Sequence, residues 1–403
     1  MRDYRKTLFF DIALFLYLLW GFLRDTDINL GTSGALGFFS KMVIYTSTLC
    51  SFIVILMKYP KSIGHILLFF YVIGMTIFYK QVYLYWPVFG LSFLIFAAYG
   101  VKVDHIVKNI FYSTLLMSII VVLLSSLGVL SDRVYAHRLG EGVELDAHSF
   151  GFAYYSFFAF RAMLLINSFL FLHRYKCNYF KLLLVIFVTI GVYVLSVTRL
   201  QLLTNIAIIG LYIIFYKLKV LNLKINLLKY VGILIYPMAF LFFISLPLSS
   251  FISPDFLEWW DENFSGRITQ TIIGFAQYPV TLFGNKFEMV GGVQIDDGLI
   301  PDDYFYLDSG YAYWLLAYGL LFTIFILYAY SRILYKSYKS GNMFIYMWCL
   351  FFAFVNLIND FFTSSYWNPI IFMMFADFSD NIKCRISSIH KNEKIRCSCF
   401  PSR

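Results

Sequence analysis

Apolar runs of 17 to 25 residues recur from one end of this 403-residue chain to the other, and each is long enough to cross a hydrocarbon layer of roughly 30 Å as an α-helix. One water-facing core cannot hide that much apolar surface. The composition agrees: 60% of residues are hydrophobic, 21% aromatic and only 14% charged, an apolar share well above that of soluble domains. The sequence predicts an all-α, polytopic integral membrane protein whose solvent is lipid.

Twelve spans are expected, over 7–23, 36–57, 64–79, 82–100, 109–130, 149–172, 182–197, 200–216, 230–250, 310–330, 343–358 and 361–377. The basic stretch Met1 to Lys6 leads straight into the first, which lacks a small-residue cleavage site and reads as a retained span. Polar pairs at Lys80-Gln81, Thr198-Arg199 and Asn359-Asp360 interrupt longer apolar stretches and mark tight hairpins. Orientation follows from Lys and Arg, because positively charged loops resist translocation. With the N-terminus inside, the inside segments hold 23 of the 32 Lys and Arg residues and the outside segments seven. The expected topology is N-in and C-in, with an inside tail over 378–403. The net charge of +9 is then a topology signal and gives no reason to invoke nucleic acid.

This map places most outside material in two loops, 131–148 and 251–309. The longer loop carries ten acids against two bases, so Arg267 and Lys286 stand out. Loops longer than about 15 residues are usually functional or disordered. Trp259, Trp260, Phe264, Ile272, Ile273 and Phe275 are distributed here as in an interfacial amphipathic helix, which predicts an ordered cap. Cys50 and Cys349 fall within spans and Cys177, Cys384, Cys397 and Cys399 on the inside, so no external disulfide is expected. Neither a phosphate-binding glycine loop nor a metal-ligand spacing occurs, and no cofactor and no metal are expected.

Ionisable residues in or against a membrane are functional candidates by default. Arg161 lies mid-span and serves either as an internal partner for an acid or as a substrate contact. Arg199 stands at a hairpin tip, where it snorkels to headgroups or meets a ligand. Arg267, in Ser265-Gly266-Arg267, pairs with Asp261 or Glu262 or faces a substrate. Arg138 and His137 sit in the first outer loop. Guanidinium groups on one face of an otherwise acidic protein suit a diphosphate, because the planar fork binds phosphate oxygens bidentately and stays charged. Two of them could stabilise a diphosphate leaving group without a metal.

The order of motifs resembles a known family. Arg138-Leu139-Gly140, then His148-Ser149-Phe150-Gly151, Thr198-Arg199, Ser265-Gly266-Arg267, Leu282-Phe283-Gly284, and Asp308-Ser309-Gly310-Tyr311 with Leu315, Leu316 and Gly319 are similar to the Wzy-type polysaccharide polymerases, distant relatives of the O-antigen ligases. The resemblance covers about residues 131–320. It implies a metal-independent glycosyltransferase joining undecaprenyl-diphosphate-linked oligosaccharide repeats at the outer face of the bacterial cytoplasmic membrane, with membrane lipid, a flippase and a chain-length regulator as partners. Arg199 and Arg267 would grip the diphosphate, while Arg138 and His148 would hold the second lipid-linked chain. The ligases often have a His where this chain has Asp308-Ser309, so Asp308 and His148 compete as general base. Asp308 has an ordinary alternative as a helix N-cap, and His148 as a polar residue opening a span. Arg161, His137 and Lys286 complete the candidate substrate contacts, Lys286 being the most readily explained as a solvated loop charge. A lipid-linked oligosaccharide flippase should have two similar halves and short loops. A membrane acyltransferase should have an organised His on the donor side, which His65 and His105 do not provide.

Overall fold

The computed structural model describes residues 2–27, 35–58, 66–67, 69–71, 73–74, 86–138, 144–174, 177–217, 226–245, 253–263, 266–286, 289, 305–360 and 364–379. Eight helices among them are long and apolar enough to cross a membrane, so the chain is a multi-pass α-helical membrane protein. In order the elements are α1 (Arg2–Asp25), α2 (Ala35–Lys58), α3 (Trp86–Ala97), α4 (Val103–Ser126), strands β1 (Val134–Arg138) and β2 (Glu144–His148), α5 (Tyr155–Leu172), α6 (Tyr179–Ser196) and α7 (Arg199–Tyr212). There follow α8 (Asn226–Ser245), α9 (Pro254–Asn263), α10 (Arg267–Gln277), α11 (Gly310–Tyr313), α12 (Gly319–Ser340) and α13 (Met343–Val355). A 3₁₀ segment, Pro369–Phe375, comes last.

Two contacts set the frame. Asp11 of α1 meets His105 of α4 at 2.8 Å, and Asp27, just past α1, meets Arg133, just past α4, at 2.8 Å. The two helices therefore run parallel. The hairpin end holds Asp25, Asp27 and the β-hairpin. At the opposite end Arg174, after α5, bonds Asp104 at 2.8 Å. Helix α2 packs against α1, with the Ser47 hydroxyl donating to the Ala13 carbonyl at 2.7 Å.

Local chemistry sets the helix boundaries. Asn178 caps α6 by accepting from the Lys181 amide at 3.0 Å, and Val197, left-handed at φ 51°, ends it. Helix α7 begins two residues later, so Thr198-Arg199 is the sharp corner that the sequence predicts. Pro237 inside α8 has no N–H to give the Ile233 carbonyl. The Ser331 hydroxyl of α12 supplies that bond instead, at 2.9 Å.

The structure departs from the expected spans in four places. The helix expected from 149 starts only at Tyr155, because Phe150 (φ 49°) and Gly151 (φ 86°) both adopt left-handed backbone that a helix cannot contain. The loop 131–148 is a β-hairpin, antiparallel, with Val134 opposite His148 and Arg138 opposite Glu144. The span at 310–330 is broken at Gly319, which has φ 82°. No α-helix fills 361–377 among the described residues. Instead, 364–379 threads the interior: Trp367 donates to Asp25 at the hairpin end, and Asp377 exchanges backbone bonds with Val101 and Val103 at the other. Non-helical backbone is tolerated at membrane depth only when protein surrounds it, and Ile370, Ile371, Phe372, Met373 and Met374 are all 0% exposed. Most of 64–79, the Lys80-Gln81 join, Phe264, Ser265, Cys384, Cys397, Cys399 and nearly all of the 378–403 tail lie outside the described residues.

Candidate active site at the hairpin end

Arg267 opens α10. Asp261 caps that helix, its carboxylate accepting from the Ile268 and Thr269 amides at 2.8 and 3.1 Å, so Asp261 is occupied with backbone. The Arg267 guanidinium turns instead to the membrane helices. Its Nε donates to the Ile358 carbonyl at 2.9 Å, and its terminal nitrogen meets Asp308 at 3.2 Å. The two side chains are 22% and 30% exposed. Burial pushes the Asp308 carboxyl above the usual carboxylate range, and the Arg267 charge pulls it part of the way back. The N-cap position of α11 is taken by Ser309, whose side chain makes no cap bond, so Asp308 is an ion-pair partner.

Around this pair the chain closes from several directions. The Gly310 amide donates to the Asn356 carbonyl at 2.9 Å, and the Trp314 indole to Asp360 at 2.7 Å. Tyr311 is buried, its hydroxyl on the Ala353 carbonyl. The break at Gly319 leaves the Leu320 and Leu321 amides without helical partners, and Thr281 and Leu282 provide carbonyls at 3.0 and 3.2 Å. In return the Asn285 amide donates to the Leu316 carbonyl at 2.8 Å. Gly284 (φ 90°) and Gly319 (φ 82°) lie back to back here, and a Cβ on either would overlap the other segment's backbone. Leu282-Phe283-Gly284 is therefore the plug in a broken helix. The amphipathic α10 rests on the same half-helix, with Gly274 against Leu316.

The other candidates separate clearly. Arg161 lies inside the bundle, 1% exposed, with one nitrogen 2.7 Å from Asp25 and another 3.0 Å from the Tyr366 carbonyl. The rings of Phe22 and Tyr366 flank its guanidinium at 3.9 and 4.9 Å. The internal-partner alternative describes it. Arg199 is exposed at the start of α7. Arg199 and Arg267 share no described contact. Helix α7 nevertheless packs on α13, and the turn after α13 supplies the Ile358 carbonyl to Arg267. Lys286 is exposed, as a solvated loop charge would be. His137 and Arg138 are described only as strand backbone, opposite Leu145 and Glu144.

His148 ends β2, and its Nδ1 lies 2.8 Å from Asp132. Sequence reading missed Asp132, Asp25, Trp367 and the Asp360–Trp314 bond. Asp132 was open to discovery: the alternating run 144–148 and the stretch 134–138 flank Gly140 and Gly142, spacing that suits a hairpin, and closing it brings 132 opposite 148–150. Among the described residues no three His, Cys, Asp or Glu side chains gather as metal ligands. Comparison with protein-family models, with curated proteins and with solved structures gives no match.

Proposed function

We propose that this chain is a polysaccharide polymerase similar to the Wzy type, working in the bacterial cytoplasmic membrane. It joins oligosaccharide repeats carried on undecaprenyl diphosphate at the outer face. One observation carries the reading. Gly266-Arg267, Leu282-Phe283-Gly284 and Asp308-Ser309-Gly310 with Gly319, three of the six motifs of the resemblance, meet at one end of the bundle through Arg267–Asp308 and the Gly284–Gly319 junction.

In this reading the hairpin end is outside and the chain makes twelve passes, N-in and C-in. The Asp11–His105 contact and the Lys102–Asp377 bridge support it, because they put residues near both chain ends at the end opposite the hairpin. Basic loops face the cytoplasm. Arg267, held by a carbonyl and a partly exposed carboxylate, turns its fork to a phosphate oxygen; Arg199 brings a second guanidinium to the same membrane face. As the glycosidic C1–O bond to the diphosphate breaks, both charges stabilise the leaving oxygens. Neither residue needs to change protonation, since guanidinium stays charged. A flippase is the second reading, and the test separates them.

Deletion of the gene should leave surface glycan capped with a single repeat unit. Loss of all repeats from the surface would support the flippase and overturn the polymerase.

A further inference from the structure

The general base remains to be assigned, and the inference drawn here rests on the polymerase reading above. Asp308 is engaged with Arg267. His148 stands differently. Its Nδ1 is 2.8 Å from one oxygen of Asp132, and the other Asp132 oxygen accepts from the Ser149 and Phe150 amides at 3.0 and 2.8 Å. The carboxylate is therefore fixed on one side by backbone. Phe150 itself adopts φ 49°, a conformation unfavourable for a bulky residue. The Ser149 hydroxyl, fully buried, accepts from the Arg133 amide at 2.8 Å and ties the two ends of the hairpin together. Side chains of His148 and Asp132 are 36% and 34% exposed, and no described residue bonds His148 Nε2.

We infer that Asp132 and His148 form an orienting dyad in which Nε2 is the base that deprotonates the acceptor sugar hydroxyl. A carboxylate on Nδ1–H fixes the tautomer, leaves the Nε2 lone pair outward and stabilises the imidazolium that forms. The acceptor oxygen bonds to the donor C1 as the C1–O bond to the diphosphate breaks. The hydroxyl proton passes to Nε2, and the bonding pair leaves with the diphosphate. Asp132 does not touch the reacting atoms and is a positioning residue. Strand β2 packs against α6, and Arg199 follows the end of that helix by three residues. The dyad and one diphosphate candidate thus share a corner.

The charged and titratable groups around the imidazole are few. Asp132 faces it directly. Arg133 is paired with Asp27 of the α1 end at 2.8 Å. On β1, Tyr135 gives its hydroxyl to the Ala153 carbonyl. Asp146 lies two residues back on β2, and Tyr193 and Arg199 belong to the α6–α7 corner. Among the described residues Asp132 alone contacts the ring nitrogens, so its removal should act on the histidine more than any other change.

The test uses full-length protein in membrane vesicles and, as substrate, the lipid-linked repeats extracted from the deletion strain. His148→Ala should slow polymerisation by about 10²- to 10⁴-fold at unchanged protein level, and added imidazole should restore part of the rate. Asp132→Asn keeps the oxygen that accepts the backbone amides, so the hairpin stays folded. It should lower kcat while leaving KM for the lipid-linked repeats unchanged, the signature of a group that orients the base in the transition state. Three results overturn the dyad: wild-type rates in both variants, a loss in His148→Ala without imidazole rescue, or a raised KM at unchanged kcat in Asp132→Asn. A wild-type protein inactive on these lipids, in a host whose deletion strain keeps long polymer, overturns the function itself and the dyad with it.

Discussion

Among the arginine–aspartate pairs at the hairpin end of this protein, Arg161–Asp25 and Arg267–Asp308 join chemically similar partners in opposite settings. Arg161–Asp25 is sealed: both side chains are at most 2% exposed, Trp367 also donates to the Asp25 oxygen at 2.7 Å, and Phe22 and Tyr366 cover the guanidinium faces. Only its Nε is buried without a partner. Arg267–Asp308 is looser at 3.2 Å, and each side chain is a quarter to a third open. A sealed pair has no room for a phosphate and works as a rivet between α1, α5 and the threaded 364–379 segment. The open pair is reached by solvent from the hairpin end. An arginine at membrane depth is thus a functional candidate only until its neighbours are known.

The largest expected effect breaks the sealed pair. Arg161→Met leaves the Asp25 carboxylate buried and uncompensated, which costs roughly 3–5 kcal/mol in such sites. Thermal unfolding in detergent should show a much lower midpoint and little folded protein in membranes. The double variant Arg161→Met/Asp25→Asn removes the stranded charge yet keeps an acceptor for Trp367, and should recover most of that loss. A single variant that folds normally but no longer makes polymer would move Arg161 into the site and erase the contrast.

Next comes the plug that holds the open pair in place. Gly284→Ala puts a Cβ into the Ala317 carbonyl at a φ of 90°, so the loop must leave the break or the half-helix must shift. We expect polymer to fall to short chains and the 251–309 loop to become protease-sensitive from outside. Gly210→Ala, in α7 with nothing within 4 Å of the new Cβ, should be neutral or slightly stabilising, since Gly is the poorer helix former by about 1 kcal/mol. Equal behaviour of the two would show that the junction does not position the site.

A charge-preserving change sharpens the contrast further. Arg267→Lys cannot reach the Ile358 carbonyl and Asp308 with one planar fork, and a misplaced group of this kind lowers rates by up to about 10²-fold. Polymer length at normal protein level is the readout. Arg199→Lys should also shorten polymer, since its role needs the same fork, whereas a purely snorkelling Arg199 would tolerate Lys. Lys286→Ala should have the least effect. Normal polymer from both Lys variants ends the diphosphate clamp.

The fold was legible in the sequence wherever a helix spans lipid by itself, because apolar length and loop charge are local properties. The Thr198-Arg199 corner and the amphipathic α10 belong to that class. Within the 361–377 run, Pro369–Phe375 was not legible as 3₁₀ backbone: the run's composition is that of a span, and only the surrounding helices, which bury this segment, allow another conformation. The site was half legible. Arg267 and Asp308 stood out by type and position, but their pairing depends on a loop folding back across tens of residues. Asp25 was invisible as a partner because it ends an apolar helix 136 residues before Arg161, and no pattern in either segment points to the other.

The smallest effect concerns pH and tests what Asp308 does. Burial holds its folded-state value above the ordinary 3.8 despite Arg267. Between these two values the folded protein keeps a proton that the unfolded chain has released. The stability this contributes is fully present below the ordinary value and is lost as pH rises through the folded one. Asn cannot titrate, so Asp308→Asn should remove that slope from unfolding midpoints measured between mildly acidic and neutral pH, a shift smaller than any above. Activity then separates two roles. If Asp308 only steadies Arg267, the variant should polymerise several-fold more slowly with an unchanged acid limb. If the acid limb disappears with Asp308, the base is the carboxylate, and the open pair is open for a proton as well as for a phosphate.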